Sequence, residues 1–148
     1  MLHFYYGVMG SSKTAMLLMQ RYNCLQQGFK VALVKPAIDT RIDANTVYSR
    51  VGLQAQADIV LEAGHSVREQ LSWLAVRHAH NDFPYVFVDE AHFLTEAQVQ
   101  EIADMSGEHE FYCYGLKTDF MGTRAKKNKT ISYDAFASVN FPALALVQ

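Results

Sequence analysis

The chain opens Met1-Leu2-His3-Phe4-Tyr5-Tyr6-Gly7-Val8-Met9-Gly10-Ser11-Ser12-Lys13-Thr14. The apolar and aromatic run Leu2 to Tyr6 ends at Gly7, and a helical pattern begins near Lys13. A strand passing through Gly7-Val8-Met9-Gly10-Ser11-Ser12-Lys13-Thr14 into a helix is the setting a phosphate loop requires. Successive backbone N–H groups turn inward there and form a nest for an anion. The helix N-terminus adds its partial positive charge. Lys13 is placed to reach the β- and γ-phosphates of a nucleotide, and the Thr14 hydroxyl to ligate magnesium. The position before the lysine is glycine in the usual pattern and Ser12 here. If that position demanded a positive φ, serine would cost about 1–2 kcal/mol. The plainer alternative is a tight strand-to-helix turn with an exposed lysine. Strand, loop and helix all stand where a phosphate loop needs them, which favours the phosphate reading.

Outward from this loop, the helix is expected to run to about Gln27, with Met16, Leu17, Met19, Tyr22 and Leu25 as its apolar stripe. Gly28 is expected to close it. Val31 to Val34 reads as a second strand leading to Lys35-Pro36. Residues 37 to 54 are polar and turn-rich and read as a long loop. Short strands are expected at Ile59 to Leu61, Tyr85 to Val88 and Phe111 to Leu116. Helices are expected from Ser66 to about Ala79 and from a Thr95 cap through Met105, with Glu96 in its first turn. Ile131 to Tyr133 and Ala143 to Val147 are candidate edge strands. Strands alternate with helices, and several strands are apolar on both faces. That pattern indicates an α/β fold of the P-loop NTPase (RecA-like) kind, a parallel sheet flanked by helices.

Phe87-Val88-Asp89-Glu90 is an apolar strand ending in two carboxylates. Ligands of parallel α/β sheets sit at the carboxyl ends of the strands, the edge that also carries the phosphate loop. Asp89 is therefore placed to hold magnesium through a water, as a Walker B aspartate does, leaving Glu90 to contact the acceptor. A solvated acidic loop start is the alternative. Asp89-Glu90-Ala91-His92 also spells a helicase box, but such helicases need two tandem nucleotide-binding domains and 148 residues hold one.

The composition narrows the function classes. The chain is 50% hydrophobic and 19% charged with a net charge of -2, an ordinary globular balance with no broad surface for nucleic acid. The basic cluster Arg124, Lys126, Lys127 and Lys129 reads first as a solvated loop. Cys24 and Cys113 are the two cysteines; they form no CxxC pair and are expected to be buried thiols. The six histidines are scattered. No stretch has the length and apolarity of a membrane span, and the amino terminus has no signal-like pattern, so a cytoplasmic protein with no membrane partner is expected.

With these motifs in order, the sequence resembles the thymidine kinases of the cytosolic human and bacterial type. The resemblance rests on the Met9-containing phosphate loop, on Lys35, Asp39 and Arg41, on Ser49-Arg50-Val51-Gly52, and on Asp89-Glu90-Ala91-His92-Phe93. It extends to Cys113-Tyr114-Gly115-Leu116-Lys117-Thr118-Asp119-Phe120-Met121-Gly122, and covers about residues 2 to 123. It implies ATP-dependent phosphorylation of the 5′-hydroxyl of thymidine or a related deoxynucleoside, with Mg2+ as the metal. It implies that Glu90 is the general base and that Arg41 neutralises charge near the transferred phosphoryl. Gly7, Met9, Gly10, Ser11, Ser12, Lys13, Thr14 and Asp89 would then bind the nucleotide, with Thr14 and Asp89 on the magnesium. Met9, Phe93, Leu116 and Phe120 would line the base pocket, ordinary core packing being the competing reading. The resemblance also implies a homotetramer.

The sequence departs from the family at several points. Members continue into a small zinc-bearing domain and a lasso-like loop. This sequence stops at Gln148 without a CxxC pair, so one nucleoside-kinase-like domain over residues 1–148, with no zinc site, is expected. His92 stands where the family usually has glutamine, Ser12 where it has glycine, and Ala125 where an aromatic is usual. A nucleotide-binding sensor or regulator without turnover is the alternative function, and a plain ATPase switch a third.

Overall fold

A computed structural model describes residues 1–7, 12–37, 45–79, 83–116 and 144–147. In chain order the elements are β1 (Leu2–Gly7), α1 (Lys13–Gln26), β2 (Val31–Pro36), β3 (Thr46–Tyr48), β4 (Gln54–Gln56), β5 (Ile59–Leu61), α2 (Val67–Arg77), β6 (Tyr85–Val88), α3 (Glu96–Met105), β7 (Glu110–Leu116) and β8 (Leu144–Val147). A 3-10 turn, Ala91–Phe93, lies between β6 and α3. Among the described residues, six strands form one sheet in the order β5-β2-β6-β7-β1-β8. Each of its pairings is parallel. This is the expected α/β sheet flanked by helices.

Strand alternation sends side chains to two different cores. Leu2, Phe4, Ala32, Val34, Val86, Val88, Phe111 and Cys113 face α2 and α3 and pack with Leu71, Leu74, Val99, Ile102 and Met105. Val31, Leu33, Phe87 and Tyr114 face the other way and pack with Leu17 and Leu18 of α1 and Val47 of β3. Every residue of β2 is buried, as a strand covered on both faces requires. The α1 face of the sheet is aromatic. Tyr5 stacks on Tyr114 with centroids 4.6 Å apart, and Phe87 on Tyr112 at 4.9 Å. The Tyr114 hydroxyl donates to Gln20 Oε1 on α1.

The helix ends follow their sequence signals. Gly28 has φ +87°, its N–H donates to Leu25 O, and the Phe29 N–H donates to Cys24 O. This pair of bonds is a Schellman closure, and the positive φ is why glycine stands there. Thr95 caps α3 in a full capping box. Its hydroxyl accepts from the Gln98 N–H at 3.2 Å, and Gln98 Oε1 accepts from the Thr95 N–H at 3.0 Å.

Three expectations need correction. Of the proposed stripe on α1, only Leu17 is buried; Met16, Met19, Tyr22 and Leu25 are exposed. The helix instead buries Ala15, Leu17 and Leu18. The reading followed the larger side chains, whereas the rotation of the helix on the sheet selected the face with Leu18. The loop expected over residues 37 to 54 contains β3, which pairs antiparallel with β4. Ser49-Arg50-Val51-Gly52 forms the turn of this hairpin. Gly52 has φ +91°, and the Ser49 hydroxyl accepts from the Leu53 N–H at 2.9 Å. Thr46-Val47-Tyr48 has strand-forming residues, but three of them amid polar neighbours leave little periodicity to read. Cys113 is buried, yet Cys24 is only half-buried. Of the two candidate edge strands near the carboxyl end, residues 144–147 form β8 beside β1; Ile131 to Tyr133 lie outside the described residues.

Candidate functional site

Parallel pairing brings the carboxyl ends of β1, β6 and β7 to one edge. Gly7 is in register with Leu116, and Val88 with Cys113. β7 therefore lies between the strand that enters the phosphate-loop segment and the strand that delivers Asp89 and Glu90. Lys13 and Thr14 begin α1 on the far side of that segment.

Ser12 is the residue before α1, with φ -78° and ψ 39°. This φ is negative, so serine at the glycine position incurs no left-handed strain. Thr14 Oγ1 donates to the Asp89 carboxylate, at 3.3 Å from Oδ1 and 3.4 Å from Oδ2. Sequence positions 75 apart thus meet at one point. Asp89 is 6% exposed. Burial, with the Glu90 charge beside it, pushes its carboxyl up from 3.8 to about 6. The Glu90 backbone hydrogen bond, the Thr14 hydroxyl and the charge of Lys35 oppose this rise without cancelling it. Lys13 is lowered from its ordinary value by burial, while the Glu90 and Asp89 charges act the other way. Both carboxylates therefore lie within electrostatic reach of the lysine.

Lys35 is a second cation at this edge among the described residues. It is 3% exposed at the end of β2, and its ammonium donates to Thr46 O of the hairpin at 2.9 Å. Sequence reading placed Lys35 in a family motif without a physical role. Here it anchors β3 and counters the Asp89 charge.

Glu90 has φ 51° and ψ 40°, the left-handed region. A non-glycine residue held there costs about 1–2 kcal/mol, and such strain gathers at functional sites. The chain turns immediately afterwards, the Phe93 N–H donating to Glu90 O at 3.0 Å. His92 is 4% exposed on this turn. Its Nε2 lies 3.2 Å from Glu90 Oε2, and its Nδ1 accepts from the Leu116 N–H at 3.1 Å. Phe93 is partly exposed beside it, with ring centroids 4.3 Å apart. The sequence reading treated His92 only as a departure from the family. Its hydrogen bond with Leu116 depends on strand order, which the local sequence does not display.

The structure therefore brings Ser12, Lys13, Thr14, Asp89, Glu90, Phe93 and Leu116 to the same sheet edge. Met9, Gly10, Ser11, Arg41 and Phe120 lie outside the described residues. Among the described residues, no group of three or more His, Cys, Asp or Glu side chains is arranged to hold a metal ion. No helix among them is long and apolar enough to cross a membrane.

Comparison with known proteins agrees with this architecture. The sequence model of a family described as thymidine kinase matches residues 1–132. A thymidine kinase of Yersinia pseudotuberculosis is 37% identical over 123 residues, covering 82% of this chain and 61% of that protein. One of Xanthomonas axonopodis pv. citri is 36% identical over 125 residues, covering 82% and 57%. One of Enterobacteria phage T4 is 35% identical over 130 residues, covering 86% and 65%. The chain spans about three fifths of the length of these relatives. A family match over most of the chain, together with relatives of this identity, establishes that the chain belongs to the thymidine kinase family.

Proposed function

We propose that this chain transfers the γ-phosphoryl group of ATP to the 5′-hydroxyl of thymidine or a closely related deoxynucleoside. The observation that carries the reading is the meeting of Thr14 with Asp89 at the edge where Lys13 and Glu90 also lie. Phosphoryl transfer asks a protein mainly for alignment and charge stabilisation. Lys13 supplies a cation for the β- and γ-phosphates, and the N-terminus of α1 supplies oriented N–H groups. Glu90 receives the proton of the acceptor hydroxyl late in the transfer. Arg41 neutralises charge near the moving phosphoryl, and Met9, Phe93, Leu116 and Phe120 line the base pocket; these assignments rest on the resemblance.

Thr14 and Asp89 would hold magnesium. A hydroxyl and a buried, incompletely compensated carboxylate side by side are the hard oxygen donors this ion prefers. When bound, magnesium supplies positive charge to the phosphate oxygens. Thr14 and Asp89 orient that charge, and Lys13 shares the load.

The test is to incubate the chain with ATP and magnesium and each common deoxynucleoside in turn. Saturable formation of thymidine monophosphate is expected. Nucleotide binding with no phosphorylation of any nucleoside would overturn the proposal and favour the sensor or regulator instead.

A further inference from the structure

We infer that His92 is a positioning residue for phosphoryl transfer: a neutral, Nε2-protonated imidazole that ties the Glu90 carboxylate to the carboxyl end of β7. This inference rests on the reading of Glu90 as the acceptor-side base.

The tautomer follows from the hydrogen bonds. A backbone N–H only donates, so the Leu116 N–H at 3.1 Å makes Nδ1 the unprotonated ring nitrogen. An imidazolium would set two N–H groups against each other at that contact. The ring proton therefore sits on Nε2, 3.2 Å from Glu90 Oε2, on the edge of the ring that faces the carboxylate. The contact sets the polar N–H edge of a neutral ring beside a carboxylate, an attraction of a dipole for a charge and not an ion pair.

The local backbone is shaped to admit this ring. A Cβ at Gly115 would lie 3.1 Å from the His92 backbone nitrogen and 3.3 Å from Nδ1. Glycine thus lets the 3-10 turn lie close against β7, within reach of the Leu116 N–H. Glu90 is already constrained on the backbone side by its left-handed conformation. His92 adds a constraint at the carboxylate itself. The ring spans two strands, because Glu90 follows β6 whereas Leu116 ends β7. The acceptor-side carboxylate and the strand leading to the proposed base pocket are thereby held in one relative position.

Glutamine, the residue the family resemblance leads one to expect at position 92, has the same two capacities. Its amide oxygen accepts from an N–H, and its amide NH2 donates to a carboxylate. What matters at position 92 is then an acceptor and a donor at opposite ends of a planar group, not a titrating imidazole.

Three variants and one spectrum test this. His92→Gln should keep kcat within about threefold of wild type, since the amide can re-form the Leu116 bond and the polar contact with Glu90. His92→Leu fills similar volume without them and should lower kcat by about 10- to 100-fold, with KM for ATP nearly unchanged, because misplacement of a reacting group acts on turnover. Gly115→Ala should lower kcat in the same way by displacing the ring. For a His92→Leu chain that does not fold, 15N NMR of imidazole-labelled wild-type protein at neutral pH decides the matter, with the Nε2–H tautomer expected. An Nδ1–H tautomer or an imidazolium would overturn the inference. So would an active wild type matched in kcat by a folded His92→Leu chain. A wild type that phosphorylates no nucleoside would instead overturn the kinase reading and with it the role of His92 in turnover; the spectrum would still report the tether.

Discussion

Asp89→Asn is expected to make the nucleotide-free chain more stable and to lower nucleoside phosphorylation by about 100-fold or more. The two effects share one cause. Asp89 is buried, and its carboxyl is pushed up from 3.8 to about 6, first by burial and then by Glu90. A raised carboxyl pKa means that the folded state holds the proton more tightly than the unfolded state does. The charged form therefore costs stability. That cost is absent below the unfolded value, sets in as pH rises from about 4 to 6, and is complete above about 6. At neutral pH a displacement of this size corresponds to at most about 3 kcal/mol. In a chain of this size that is about 5 to 10 °C in Tm. Asparagine has the same shape and accepts the Thr14 hydroxyl bond through its amide oxygen, but it brings no charge for magnesium. Melting curves with a chelator present should show the variant gaining over wild type between pH 4 and 6 and holding its lead above. A variant less stable than wild type at pH 7 would show that Asp89 is not held at a cost.

Glu90→Gln is expected to lower kcat by about 10²- to 10⁴-fold. Proton removal comes late in a largely dissociative transfer, so the lower half of that range is the better expectation. The substitution preserves shape, and glutamine Oε1 keeps a polar atom beside His92 Nε2. The partly exposed position implies little change in melting temperature. The loss should therefore fall on kcat, with ATP affinity altered only slightly. Single-turnover rates at saturating nucleoside give the measurement. A loss of less than about tenfold would remove Glu90 from the role of general base.

The parts of this site that were legible in the sequence are those encoded locally. Leu2 to Gly7 carries a strand in its apolar and aromatic run, and the helical pattern from Lys13 carries the start of α1. Phe87 to Glu90 carries a buried strand and its polar end. Thr95 and Gly28 announce their helix termini through side-chain chemistry and backbone freedom. What escaped the reading depends on pairing across the sheet or on the rotation of an element. The buried face of α1 was misassigned because Met16, Met19 and Tyr22 are large and apolar yet point to solvent. The hairpin Thr46–Tyr48 with Gln54–Gln56 was hidden by its brevity. His92 reads as a simple replacement until β7 sets the Leu116 N–H against its Nδ1. Gln98 was likewise unmarked, although its buried amide donates to Glu62 O at 2.7 Å and His65 O at 3.1 Å and so joins α3 to the loop before α2.

The most direct test of the central claim is to follow the γ-phosphoryl group. ATP labelled at that position, incubated with the chain, magnesium and thymidine, should deliver its label to the nucleoside 5′-oxygen. Transfer should depend on thymidine, and little label should appear as inorganic phosphate. Label released as phosphate at the same rate with and without thymidine would contradict the account and mark the chain as an ATPase built on the same loop.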